Sequence, residues 1–310
     1  MTSWPSGIFT AEQALQLYGR PRVRRWLDTG VWTRPFRGVY VSADTQCDDQ
    51  TSIQLALMSA GADLVVVRES AAVLHGFGVL EDGAIHLAGD QRKTARTPPG
   101  IHIHGYKLPP KDITHVAGVA TTTAARTVVD LARSANRLDA LAVVDLALRV
   151  NACSPEGLAE QALSQRSSRG IVQARRIVDW GDPAAESPME SRARLHLLDS
   201  DLPAPAPQWW VRDHHGKPIY RLDLAWPEYR VGLEYDGVDH LDRARQRSDI
   251  ERRAWLTQNG WRILWVTDVD VYRAHVRMVA RVRRLIQATP DLGDHAEMVR
   301  DTPYGRTISA

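Results

Sequence analysis

The stretch RLDLAWPEYRVGLEYDG, residues 221–237, constrains the fold more than any other. Two apolar, β-prone runs flank Pro227–Arg230, and such a pattern reads as an antiparallel hairpin. Side chains alternate across a strand, so Val231, Leu233 and Tyr235 line one face and Glu234 and Asp236 stand on the other. A turn centred on Glu228 and Tyr229 sets Asp223 opposite Glu234 and Arg221 opposite Asp236. Directly opposed Cβ atoms lie roughly 4.5–5.5 Å apart. Two ionised carboxylates at that spacing repel, so one keeps a proton at neutral pH or a cation sits between them. A one-residue bulge would undo this pairing, and the loop lacks the Asn-Gly signal that fixes a register.

The hairpin lies inside an ordered series. SPMESRARLHLLDS reads as a helix and PQWWVRD as a strand, followed by the two hairpin strands. SDIERRAWLTQNG is a helix closed by Gly260, WRILWVT a strand, and DVDVYRAHVRMVARVRRLIQ a last helix. The order over residues 187–287 is αβββαβα. Ser187 to Glu190 also fits a capping box with Pro188 at the first helical position. Residues 288–310 are polar and broken by Pro and Gly, the composition of a disordered tail.

Upstream, residues 1–45 read as helix, turn, helix, hairpin, the outline of a winged helix. Thr10 and Gln13 form a capping box, Gly19 turns the chain, and PRVRRWLDTG opens with Pro21 and stops at Gly30. The segment holds Arg20, Arg22, Arg24, Arg25, Arg34 and Arg37 against Glu12 and Asp28. Arg22 and Arg25 lie one helical turn apart, and Arg34 and Arg37 flank the wing, which suits phosphate contact. Residues 46–182 are mixed α/β, with strands at DLVVV, AIHLAG and GIHIHGY and five helices. His102 and His104 share a strand face without a third ligand nearby in sequence, so they read as a structural or solvent-exposed pair rather than metal ligands. Arg126 and Asp130 form an i, i+4 ion pair.

Composition adds exclusions. The formal net charge is +2, so no global field announces a nucleic-acid partner, and the basic residues are 35 Arg to 4 Lys. Cys47 and Cys153 lack zinc or disulfide spacing. No apolar run reaches membrane-spanning length and the N-terminus has no signal-peptide pattern, so the expectation is a cytoplasmic protein without a membrane partner.

The acid on one strand and the E-x-acid on the next, in the αβββαβα order, resemble the PD-(D/E)xK restriction-endonuclease-like superfamily, closest to its very-short-patch-repair-like branch. FTAEQAL, RGVYV and TTTAARTVVDLA are similar to AbiEi-type antitoxins. The whole is then an α/β multidomain chain: a winged helix (1–45), an AbiEi-like domain (46–182), a nuclease-like domain (187–287) and a tail. The first resemblance implies a metal-dependent endonuclease with Asp223 and Glu234 as ligands of Mg²⁺ or Mn²⁺ and Glu190 as an additional acid. His240 would act as a base or orient water. Asp236 stands where the superfamily usually has Lys; it would bind a second metal, take a proton from water, or mark a degenerate site. Arg252 and Arg253 would join Arg22, Arg25, Arg34 and Arg37 on nucleic acid, DNA before RNA. A homodimer stays open. The second resemblance implies a DNA-binding regulator with an inactive nuclease-like domain and a cognate toxin as partner.

Overall fold

The computed structural model describes residues 7–61, 64–79, 83–89, 99–237 and 243–288. Two compact units divide the chain, Met1–Pro183 and Ala184–Ala310. It is a mixed α/β protein with three sheets among the described residues.

The first unit opens with β1 (Ile8–Thr10), α1 (Ala11–Asp28), β2 (Trp32–Phe36) and β3 (Val39–Ser42), the strands ordered β1-β3-β2. The capping box forms as expected: Gln13 N donates to Thr10 Oγ1 at 3.1 Å, and Thr10 N to Gln13 Oε1 at 2.9 Å. Gly19 interrupts α1 with φ +74°, two residues ahead of Pro21, so the helix is two helices across a break. Ala14, Val23 and Trp32 make the buried centre, ringed by Phe9, Tyr18 and Trp26.

The chain continues through α2 (Asp49–Ala60), β4 (Val65–Val66), α3 (Arg68–Leu74), β5 (Ile85–Ala88) and β6 (Ile101–His104). A hairpin of β7 (Ile113–Val116) and β8 (Val119–Thr122) completes a five-stranded sheet ordered β6-β5-β4-β8-β7. Helices α4 (Ala124–Ser134), α5 (Arg137–Arg149), α6 (Pro155–Ser164) and α7 (Ile171–Asp179) follow. The sequence pattern gave no sign of α2, β7 or β8. The β7–β8 turn places Ala117 at φ +49° and Gly118 at φ +77°, the left-handed pair that tight hairpins need, without the usual Asn-Gly letters.

The second unit holds α8 (Pro188–Leu198), β9 (Ala206–Arg212), β10 (Pro218–Trp226), β11 (Val231–Tyr235), α9 (Arg243–Gln258), β12 (Arg262–Val266), α10 (Asp268–Tyr272) and α11 (His275–Gln287). The sheet is ordered β12-β11-β10-β9, with β9, β10 and β11 antiparallel and β12 parallel to β11. The expected final helix is two, because Arg273 and Ala274 leave helical geometry between α10 and α11. The hairpin register is the one expected, with Leu224 on Leu233, Ala225 on Gly232 and Trp226 on Val231. One face of the sheet buries Leu224, Trp226, Val231 and Leu233 with Leu197 of α8 and Met278 and Val282 of α11. A second cluster buries Leu222 and Ala225 with Leu256 of α9.

Candidate functional site

Strict alternation fails at Asp223. Leu222 belongs to the cluster that includes α9, whereas Leu224 belongs to the cluster with α8 and α11. The chain therefore changes face between them. On the neighbouring strand Gln208 has φ +50°, and the β9–β10 pairing omits both Gln208 and Asp223. A left-handed residue inside a strand costs energy and tends to mark a special site. Pairing of β10 with β11 also stops at Leu224 and Leu233, and the Asp223 carboxylate takes the next ladder donor: Tyr235 N–H donates to Asp223 Oδ2 at 2.8 Å.

Two more acids gather nearby. Glu234 is 5% exposed and meets Arg252, whose Nη2 donates to Glu234 Oε1 at 2.5 Å and to the Arg221 carbonyl at 2.6 Å. Glu190 is 7% exposed, and its Oε2 accepts from Gln208 Nε2 at 2.7 Å and from Glu186 N–H at 3.0 Å. The capping box expected at Ser187 is half made. Ser187 Oγ caps Glu190 N–H, but the Glu190 carboxylate reaches Glu186 rather than Ser187.

Burial decides the electrostatics. It raises Asp223 to about 6, helped by Glu190 and opposed by the Tyr235 hydrogen bond and Arg252. Burial raises Glu234 to about 8, with Arg252 opposing and Asp223 and Glu190 adding to it. The ion pair with Arg252 favours ionised Glu234, while the upward shift favours its acid form. Burial outweighs the guanidinium, so Asp223 and Glu234 both bind protons more readily than exposed carboxylates.

Several sequence expectations find different positions. Arg221 does not face Asp236; its Nη2 meets Glu186 Oε2 at 2.5 Å, because the strands part before the expected pair is reached. Asp236 is half-buried, with its N–H donating to the Val266 carbonyl at 2.8 Å. Arg252 sits on Glu234 rather than in solvent, and the exposed Arg253 stacks on Trp265 at 4.2 Å. His240 and the proposed tail from residue 289 onward lie outside the described residues. Among the described residues no three His, Cys, Asp or Glu side chains gather closely enough to hold a metal.

In the first unit Arg22, Arg25, Arg34 and Arg37 are all exposed. The sequence reading missed the partners of His104. Parallel pairing of β5 with β6 brings His86 alongside, its Nδ1 2.9 Å from His104 Nε2, and Glu69 Oε2 lies 3.6 Å from His86 Nε2. Two apolar strands each carrying His were the available signal; their pairing was not readable across the intervening residues.

Residues 64–180 match the AbiEi antitoxin C-terminal domain. Over 259 residues the chain is 34% identical to the uncharacterized protein Rv2248 of Mycobacterium tuberculosis strain H37Rv and, to the same extent, to MT2308 of strain CDC 1551. The match covers 82% of this chain and 92% of each relative. The chain belongs to the family of these two mycobacterial proteins. Its fold also has a likeness to the crystal structure of the RV2827C protein from Mycobacterium tuberculosis, at 17% identity and TM-score 0.40, covering 67% of this chain and 84% of that one. Among the described residues no helix is long and apolar enough to cross a membrane.

Proposed function

We propose that this protein is a DNA-binding regulator of the antitoxin type, acting in the cytoplasm with a toxin as partner. The observation that carries the reading is the antitoxin-domain match over residues 64–180. The preceding helix, break, helix and hairpin support it, because they present Arg22, Arg25, Arg34 and Arg37 to solvent on one small module. In the winged-helix reading the segment after Gly19 enters a groove and the β2–β3 wing rests on the backbone. Guanidinium groups at those positions contact phosphates and set the register of the protein on the duplex.

A second reading, a metal-dependent endonuclease, is favoured by the cluster of Asp223, Glu234 and Glu190. Asp223 and Glu234 are oxygen donors of the kind Mg²⁺ accepts, commonly one or two carboxylates completed by water and phosphate. Burial raises the proton affinity of both, so a cation binding there would displace protons from them. Bound there, a divalent ion would supply charge stabilisation and an activated water. Glu190 would hold the site's shape through Gln208, and Arg252 would balance charge on Glu234. Asp236 in the usual lysine position removes the cation that would steady a leaving oxygen, which places this reading second.

One experiment separates the two. Binding and cleavage of the DNA upstream of the gene are followed with and without Mg²⁺ or Mn²⁺, for wild type, Arg22→Ala/Arg25→Ala and Asp223→Ala. The regulator reading expects binding that falls about tenfold or more in the double variant, a salt slope reduced by about two, no cleavage, and no effect of Asp223→Ala. Cleavage lost in Asp223→Ala with binding retained would replace it with the nuclease. Binding equal in wild type and the double variant would overturn the role of the basic helix.

A further inference from the structure

We infer that His86, His102 and His104 form a zinc site on one face of strands β5 and β6, with Glu69 orienting His86. His102 and His104 put two imidazoles on one strand face, with no third ligand close by in sequence. Parallel pairing supplies it: His86 of β5 is the direct partner of His102, and Ala88 that of His104. Paired residues of neighbouring strands point to the same face, as do residues two apart on one strand. All three imidazoles therefore stand together, while the opposite face carries Leu87 and Ile101 into the core with Ile53 and Ala56 of α2.

Two of the nitrogens already meet. His86 Nδ1 lies 2.9 Å from His104 Nε2, and the two rings are nearly parallel, with centroids 5.2 Å apart. Imidazole nitrogens bound to a tetrahedral zinc, each about 2.0–2.1 Å from the metal, sit roughly 3.3 Å apart, so this gap has to open by only about 0.4 Å. His102 is exposed, and its ring centroid is 5.3 Å from that of His86. It does not join the other two as it stands, and a turn about the side-chain bonds of this exposed residue brings it to them. Water takes the fourth position, as in other zinc sites with three protein ligands.

The second observation is the carboxylate beside His86. Glu69 Oε2 lies 3.6 Å from His86 Nε2, and Arg68 holds the same carboxylate through Nε at 3.1 Å and Nη2 at 3.2 Å. Arg68 has φ +55°, a strained backbone for a residue with a Cβ, and such strain gathers at functional sites. A carboxylate at Nε2 keeps the ring proton there and leaves the Nδ1 electron pair for a metal, the arrangement that metal-bound histidines commonly show. His86 is 4% exposed and its backbone N–H donates to Ser70 Oγ at 2.9 Å, so this ligand is fixed in advance. His104 moves its proton from Nε2 to Nδ1 as the metal arrives, a change of tautomer without net release of a proton. Neutral imidazoles suit zinc, whereas Mg²⁺ takes oxygen donors, so this site and the acid cluster of the second unit call for different ions. Strand β6 is an edge of its sheet, and a metal shared with β5 fastens it there.

The test uses the full, untagged chain stripped of metal by a chelator. Zinc affinity is read by competition with a chromophoric chelator, for wild type, His102→Ala, His104→Gln, Glu69→Gln and Asp223→Ala. Wild type should bind one zinc per chain. His102→Ala and His104→Gln should each weaken binding by about a hundredfold or more, and Glu69→Gln, which keeps all three ligands, by about tenfold. Zinc at about a hundred times its dissociation constant should also raise the wild-type thermal midpoint by about 5 °C, and the same concentration should leave His102→Ala unmoved. Because His102 is exposed, that variant carries the test even where His104→Gln fails to fold. Absence of zinc binding in wild type, or unchanged affinity in His102→Ala, overturns the site. Unchanged affinity in Glu69→Gln overturns the role given to the carboxylate. Asp223→Ala should bind zinc as wild type does, and a loss there would move the metal to the acid cluster and overturn the site. Arg22→Ala/Arg25→Ala should leave zinc affinity intact, so this inference and the regulator reading fail separately.

Discussion

Glu234 is paired with the Arg252 guanidinium, which also holds the Arg221 carbonyl. Removing one partner of a buried ion pair leaves the other uncompensated, which costs roughly 3–5 kcal/mol. The Arg252 side chain is 23% exposed and Glu234 6%, so the low end of that range applies. Arg252→Met should therefore destabilise the second unit by up to about 3 kcal/mol at about pH 9.5, above the value of about 8 at which Glu234 is half ionised. At pH 6 a proton on Glu234 replaces the lost cation, and the cost should fall to about 1 kcal/mol. Chemical denaturation at the two pH values measures this. An equal loss at both would mean that Arg252 acts by packing on Tyr220, 5.7 Å from its guanidinium, and not by charge.

At the scale of elements, the legible features were those written in local letters. The Thr10 capping box, the break at Gly19, the helices α4 to α7 and the β10–β11 register all follow from residues a few positions apart. The acid pair was legible as a pair, but its geometry was not. A left-handed Gln208 and a change of face at Asp223 depend on packing between strands, which no alternation rule contains. The same limit hid Asp112, which joins the expected Arg126–Asp130 pair through Arg126 Nη1 at 2.5 Å. Gly170 is a further case: the sequence shows only a glycine ahead of a helix, whereas in the structure it has φ +80° and an added Cβ would lie 2.0 Å from the Arg133 carbonyl. Because that neighbour is backbone and cannot step aside, Gly170→Ala should cost roughly 2–4 kcal/mol, far above an ordinary left-handed Gly→Ala change. Gly216→Ala is the control: φ is +79° there and nothing lies within 4 Å, so about 1 kcal/mol is expected. Similar losses in both would mean that the α4–α7 junction yields to the added methyl.

For the molecule as a whole, the two units carry opposite pH dependences. In the first, burial lowers His104 to about 4, with His86 and Arg68 adding to the effect. A histidine whose folded value lies below its unfolded value of 6.5 favours the fold when neutral. Its contribution is complete above pH 6.5 and is lost as pH falls towards 4. In the second unit Asp223 and Glu234 are raised, to about 6 and about 8, and favour the fold when protonated. Their contribution is complete below the ordinary carboxylate range and is lost as pH rises through 6 to 8. Each unit has its own buried core, so each is expected to unfold as its own cooperative step. Calorimetry should then show two transitions that shift in opposite directions between pH 5 and pH 8.5. His104→Phe should flatten the acid-side fall of one transition without touching the other. Glu234→Gln should flatten the alkaline-side fall of the second, and Mg²⁺ at pH 8.5 should raise that same transition if the carboxylates take a cation. A single transition at every pH would mean that the units unfold together, and two transitions moving in parallel would mean that other titrating groups outweigh His104 or the acid cluster.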